Sequence, residues 1–302
     1  MKSSEFSARL DEMFDLRRHA EPDGWDFALS PSAIQALRAV GSPIFRETFN
    51  GLIPFSNDDQ LMFERVYLLV FPEWNLIEQV IESERAAGGE GAIVVTHHPV
   101  DMETSDRGFI EIPKSQLVRL GAASISLYVL HAALDCDESI STSGALSDGL
   151  ELKRLQTFAP YHGGDCGVIG LQEPESFYSF AERVRVLCDL PGFNLNQVRF
   201  SGRTVSRVAI VAGGGDDADY IREAEALGCD TYLAGHWWTP HRGEWCDGNR
   251  KLLREAIGRS DMNFLSGSHD GSELVVFRDR LQPMFTSWGL DVRLIRQLDH
   301  WR

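Results

Sequence analysis

Ala92-Ile93-Val94-Val95-Thr96-His97-His98-Pro99 is a short apolar strand that ends in two imidazoles and a proline. Upstream, Arg65-Val66-Tyr67-Leu68-Leu69-Val70-Phe71 reads as another buried strand. Between the two, residues 75–87 place Leu76, Ile77, Val80 and Ile81 on one helical face before Gly88-Gly89 stops the pattern. Downstream, Lys114 to Leu120 reads as a short helix. Ser126-Leu127-Tyr128-Val129-Leu130 then forms a third strand that ends at His131. Strand, helix, strand, helix, strand over residues 64–131 predicts an α/β unit with a largely parallel sheet.

Working outward, residues 1–60 read as an N-terminal extension. It has a surface helix spaced by Phe6, Leu10, Phe14 and Leu16, and a helix start at Ser30-Pro31, but no chemistry of its own. On the other side, Asp135 to Gly149 reads as a Ser/Gly/Asp-rich linker, and residues 150–158 as a helix. A second block starts at Cys166-Gly167-Val168-Ile169-Gly170. It continues with a helix over 174–188 and a strand over 205–211 that runs into Gly213-Gly214-Gly215. Further elements are a helix over 218–227, a strand over 231–234, a helix over 251–257 and the apolar Asn263-Phe264-Leu265. A last helix over 272–288 precedes a strand over 292–295.

Composition narrows the function. The chain has 302 residues, enough for about two domains, and an ordinary globular balance of 43% hydrophobic and 25% charged residues. With 45 acidic against 29 basic residues the net charge is −16, which disfavours nucleic acid as a partner. No apolar run is long enough for a membrane span, and the first residues have no signal-peptide core. Cys136, Cys166, Cys188, Cys229 and Cys246 are an odd, scattered set without a C-x-x-C pair. They read as reduced thiols, so the expected compartment is cytoplasmic.

Three histidine sites stand at strand ends, where α/β folds gather ligands. The first is His97-His98-Pro99, the second is His131 with Asp135 four residues on, and the third is His269 with Glu273 four residues on. Imidazole and carboxylate donors suit zinc, iron, manganese, cobalt or nickel rather than calcium. The set His97, His98, Asp135, His269 and Glu273 exceeds the three protein ligands of a typical catalytic zinc. It fits two divalent metals that share a bridging carboxylate.

At this point the sequence resembles the Nif-three-like family (NGG-one-interacting factor three), over roughly residues 60–302. The resemblance rests on the His-His-Pro strand end, on His131-Ala132-Ala133-Leu134-Asp135 and on Ser268-His269-Asp270-Gly271-Ser272-Glu273. Gly167-Val168-Ile169-Gly170, the strand into Gly213-Gly214-Gly215 and Gly228 to Gly235 support it. It implies two α/β lobes, the first here over 61–160, and the N-terminal extension (1–60) is longer than the family's usual start. A second lobe (161–302) returns His269 and Glu273 to a dinuclear metal site in the cleft between the lobes. It also implies homo-oligomers, often hexameric rings, and a GTP cyclohydrolase-type name. In the implied ligand set, His98 and Asp135 hold one metal, His97 and His269 the other, and Glu273 bridges, with His131 beside them. The chain departs from the family pattern at Ala132 and Ala133, where Thr and Asn are usual, and at Ser268, where Gly is frequent. It departs again at His236, where an acid usually follows the glycine, and at Phe71-Pro72-Glu73.

The expected function is a metal-dependent hydrolase that uses a metal-bridging water on a nucleotide, phosphoester or cyclic amide. Glu273 is then the bridge, and His131 or a histidine of the 236–241 stretch moves protons. The alternative is a non-enzymatic metal store, insertase or regulatory partner. His236, Trp237, Trp238 and His241 form an aromatic cluster suited to packing or to stacking a ring-shaped substrate. Gly213-Gly214-Gly215 reads as a tight turn rather than a phosphate cradle, because Asp216 and Asp217 follow it.

Overall fold

The structure is a computed structural model. It describes residues 1–23, 25–26, 29–54, 62–89, 91–103, 108–298 and 300–301. The chain is an α/β protein that divides into two compact units. The first comprises Met1–Thr104, Gly108–Asp137 and Phe277–Leu298, and the second chiefly Glu138–Val276 with His300 and Trp301.

The first unit opens with α1 (Ser3–Met13), α2 (Pro31–Val40), α3 (Pro43–Thr48) and β1 (Gly51–Ile53). There follow β2 (Arg65–Leu69), α4 (Trp74–Ala86), β3 (Ala92–Thr96), the hairpin β4 (Val100–Glu103) and β5 (Gly108–Glu111), α5 (Lys114–Ala122), β6 (Ile125–Val129) and the single turn α6 (Ala132–Asp135). Its five-stranded sheet has the order β1-β6-β3-β2 followed by the strand 291–294. All neighbours are parallel except β1 and β6. β3 and β6 are buried at every residue and β2 at all but its first, so both faces of the sheet are covered and the strands are continuously apolar. Register pairs Leu69 with Thr96 and Thr96 with Val129. The three strands therefore end level, and His97, His98 and His131 leave the sheet side by side.

The expected extension is part of this unit. Phe6 and Leu10 of α1 are fully buried, and Phe6 packs its ring on Phe63, Tyr128, Phe285 and Trp288. β1 supplies an edge strand that its three residues do not announce. Residues 55–60, the end of the expected extension, lie outside the described residues.

The second unit contains α7 (Thr142–Gly149), β7 (Lys153–Tyr161), β8 (Gly164–Glu175), α8 (Phe177–Leu187), β9 (Val198–Arg199) and β10 (Val205–Gly214). It continues through α9 (Ala218–Ala226), β11 (Thr231–His236), α10 (Glu244–Arg259), β12 (Asn263–Ser266) and α11 (His269–Val276). The sheet order is β7-β8-β10-β11-β12-β9, with β10, β11 and β12 parallel. The chain then returns to the first unit through a π-helical turn (Phe277–Leu281), α12 (Gln282–Ser287) and β13 (Asp291–Leu294), which pairs with β2.

Two expectations need correction here, a helix and a linker. The stretch expected as a helix over 150–158 is mostly β7, because pairing with β8 in a long hairpin overrides the local helix formers. Its two-residue connection, His162-Gly163, has φ of +32° and +80°, the pattern of a primed turn. The expected lobe boundary at 160/161 lies in this hairpin, while the compact units divide between Asp137 and Glu138. The expected linker contains α7, whose small residues are buried. Ser143 Oγ donates to the Cys166 carbonyl (2.5 Å) and accepts the Ala212 N–H (3.0 Å). Its Ser/Gly composition allows close packing against the sheet, which in sequence alone reads the same as a polar connection.

Candidate metal centre

The backbone fixes the two adjacent histidines of the first unit. His97 N–H donates to the carbonyls of Leu69 and Val70, and His98 N–H to that of Val70. Thr96 Oγ1 lies 3.2 Å from the Val70 carbonyl oxygen and 3.0 Å from that of His98, which holds the strand end in place. The His98 ring stacks on Phe71 with centroids 4.1 Å apart and planes 4° off parallel. The ligand atoms of His97, His98 and His131 all lie within 4.8 Å of one another, and all three residues are buried.

α6 brings in the carboxylate. Its single turn is closed by Asp135 N–H on the His131 carbonyl (3.1 Å), which sets Asp135 one turn from His131. His97 Nδ1 lies 2.7 Å from the Leu130 carbonyl, which can only accept, so Nδ1 carries the ring proton. Nε2 then turns a lone pair toward Asp135 Oδ1 at 3.4 Å. Two acceptors facing each other at that distance are stabilised by a proton or a metal ion between them. The donor set therefore fits a divalent metal, with the backing carbonyl that metal-ligating histidines use. The His97 imidazole stands 3.4 Å from the Asp135 carboxylate, whereas the resemblance groups Asp135 with His98.

His131 has a partner the sequence did not disclose. Its Nδ1 lies 2.9 and 3.0 Å from the two oxygens of Glu21, a residue only 1% exposed. The Glu21 carboxylate also accepts from Asn50 Nδ2 (2.9 Å) and Ala132 N–H (3.3 Å), while Asn50 Oδ1 accepts His131 N–H at 2.7 Å. Trp25 completes the pocket, its ring centroid 4.8 Å from that of His131. The N-terminal stretch expected to carry no chemistry thus supplies the group that orients His131.

In the second unit the third histidine site is built the same way. β10, β11 and β12 end together, and α11 starts just beyond them. His269 Nε2 and Glu273 Oε1 stand 3.1 Å apart across one turn. Gly213, at φ +73°, lies directly against this pair, and a Cβ there would come within 2.0 Å of Glu273 Oε1. The glycine run therefore makes room for a carboxylate instead of cradling a phosphate. Ser272 ties the two elements together, since its Oγ accepts the Gly213 N–H (2.9 Å). His236 lies beside the pair, its ring centroid 5.0 Å from that of His269 and its Nε2 3.3 Å from Asp216. Burial alone would push the Asp216 carboxyl up. His236 beside it and the Thr239 hydroxyl outweigh burial and hold it down at about 2.

The structure thus brings His97, His98, His131 and Asp135 together in the first unit, and His269 and Glu273 together in the second. Sequence reasoning missed Glu21, Asn50 and Asp216. Fold and site define an α/β protein whose parallel strand ends carry buried histidine–carboxylate clusters of the kind that can hold a metal. A model of the family Duf34/NIF3 (NGG1p interacting factor 3) matches residues 71–243, more than half of the chain, and the chain belongs to that family. The match includes the four site residues of the first unit and ends before His269.

Curated relatives bear the name GTP cyclohydrolase 1 type 2 homolog. The one from Halobacterium salinarum is 27% identical over 171 residues, 56% of this chain and 62% of the relative. The one from Pyrococcus horikoshii is 30% identical over 149 residues, 42% of this chain and 58% of the relative. The match thus spans less than two thirds of either relative. Among solved structures, the protein ybgI of unknown function superposes with a TM-score of 0.63 at 18% identity over 99% of both chains. Reduced HcgD from Methanocaldococcus jannaschii gives 0.61 at 18% identity over 97% of both chains. TTHA1606 from Thermus thermophilus gives 0.62 at 17% identity over 99% of both. At such identities the likeness is one of fold.

Proposed function

We propose that this protein is a dinuclear metal-dependent hydrolase acting on a small nucleotide, phosphoester or cyclic amide. His97, His98 and Asp135 of the first unit, with His269 and Glu273 of the second, would hold the metals, and Glu273 would bridge them. The observation that carries the reading is His97, whose Nδ1 proton is committed to a carbonyl while Nε2 faces a buried carboxylate. Bound there, two divalent metals would lower the pKa of a water and neutralise charge that develops on a carbonyl or phosphoryl oxygen.

The chain's own residues would do the rest. Glu21 fixes the His131 ring through Nδ1, so Nε2 is the atom that accepts and returns a proton. Burial excludes bulk water from the three imidazoles. A homo-oligomer belongs to the same proposal and is checked by light scattering.

The test is turnover of nucleotides, phosphoesters and cyclic amides by metal-loaded protein. Activity should vanish on chelation and in Glu273→Ala. His131→Gln should keep the metal and lose about 10²–10⁴-fold in kcat, the usual worth of an acid–base group. Loss of metal in His131→Gln would make it a ligand instead. Absence of metal-dependent turnover across all three substrate classes would defeat the reading.

A further inference from the structure

We propose that a cavity in the second unit, lined by the loop after β11, binds a small planar aromatic anion of the nucleoside monophosphate class. The cavity holds about 790 Å³, within the range of small-molecule sites. Its lining includes Trp238 and Trp301 together with Arg199, Arg242, Arg250 and Arg254, and no carboxylate among the described residues. Arg250 pairs with the exposed Asp247 at 2.5 Å, and with Arg199, Arg242 and Arg254 beside it the wall still carries net positive charge in a chain of net charge −16.

The site is built rather than incidental. Gln197 is buried, and its side chain clamps the loop from both sides. Oε1 accepts the N–H groups of Trp237 (3.3 Å) and Trp238 (3.2 Å), while Nε2 donates to the Trp238 carbonyl (2.8 Å). Arg199 donates to the Ile257 and Ser260 carbonyls, and Arg250 to those of Thr239 and His241, so two guanidinium groups are fixed in the wall. Arg242 and Arg254 are exposed at the rim, and Arg254 stands 5.6 Å from the Trp238 ring centroid.

An indole carried on a clamped stretch of backbone, with a guanidinium over its ring, puts a stacking surface and an anion-binding fork in one place. Inorganic phosphate would leave the indoles unused, and a neutral ring would leave the arginines unused. A polyanion would meet the acidic remainder of the surface, whereas one nucleotide fits the volume. The proposal stands independently of the metals, although the loop starts at His236 beside His269.

The test is titration calorimetry on the full chain in the presence of a chelator. Guanosine and adenosine monophosphates are the probes, with the nucleosides, inorganic phosphate and a ten-residue oligonucleotide as comparisons. One monophosphate per chain should bind, about tenfold or more tighter than nucleoside or phosphate. Arg254→Ala, at an exposed position that leaves the fold intact, should weaken it at least about fivefold, as should Trp238→Ala, with Trp238→Phe restoring most of the loss. The proposal is overturned if no monophosphate binds or if phosphate binds equally well. It is also overturned if the oligonucleotide binds more tightly or if Arg254→Ala changes nothing.

Discussion

Replacing Glu21 by alanine removes a buried carboxylate that accepts from His131, Asn50 and Ala132 at once. Three donors then lose their acceptor in a buried pocket, which should cost about 1–3 kcal/mol of stability for each one that finds no other partner. Metal affinity should fall about 10–100-fold, as for other groups that orient a ligating histidine from behind, and competition against a coloured chelator reads it. An unchanged affinity would detach Glu21 from the site. The residues that sequence reading found are those whose partners lie close in the chain. His97 and His98 are adjacent, and His131 with Asp135 and His269 with Glu273 are one helical turn apart. Glu21 lies 110 positions from His131, and Asp216 meets Thr239 across 23. No spacing rule links such pairs, because the packing of segments distant in sequence brings them together.

At the scale of the element, α11 begins from a strained residue. Ser268 sits at φ +59°, a left-handed conformation costing an ordinary side chain about 1–2 kcal/mol, while its Oγ accepts the Gly271 N–H at 2.8 Å as a helix cap. Ser268→Ala keeps the strain and loses the cap, so it should lower unfolding stability by about 1 kcal/mol. Ser268→Gly loses the cap and the strain together and should be near neutral, which explains why glycine suits this position. Urea unfolding of the two variants decides it, and equal losses in both would contradict the assignment.

The turn after β10 carries a pH signature. Asp216 is held at about 2, below its ordinary 3.8, so its stabilising interactions are complete above 3.8 and lost as pH falls from there toward 2. This is worth roughly 2 kcal/mol. Asp216→Asn should flatten that part of the acid limb, measured by chemical unfolding between pH 2 and 5. A limb as steep as in the wild type would show that the pair with His236 does not form.

Element reading succeeded where the pattern is continuous, as in β2, β3, β6 and α4. It failed at β7 and α7, whose states are decided by partners. β7 needs the β8 hairpin to override helix-forming residues, and α7 needs the sheet that its small side chains approach.

For the whole molecule, only Asp135 and Glu273 of the 45 acids belong to the proposed ligand set, so the site does not account for the acidic surplus. Among the described residues no helix is long and apolar enough to cross a membrane. The chain leaves the first unit after Asp137 and returns to it at Phe277. The proposed ligands come from both units, so metal binding should raise the thermal midpoint of the whole chain, not of one part. The most direct test is elemental analysis of protein purified without chelator from metal-supplemented culture. About two divalent metals per chain are expected for a dinuclear centre, with both lost in Glu273→Ala. Less than one metal per chain in the wild type, or full metal content in the variant, would contradict it.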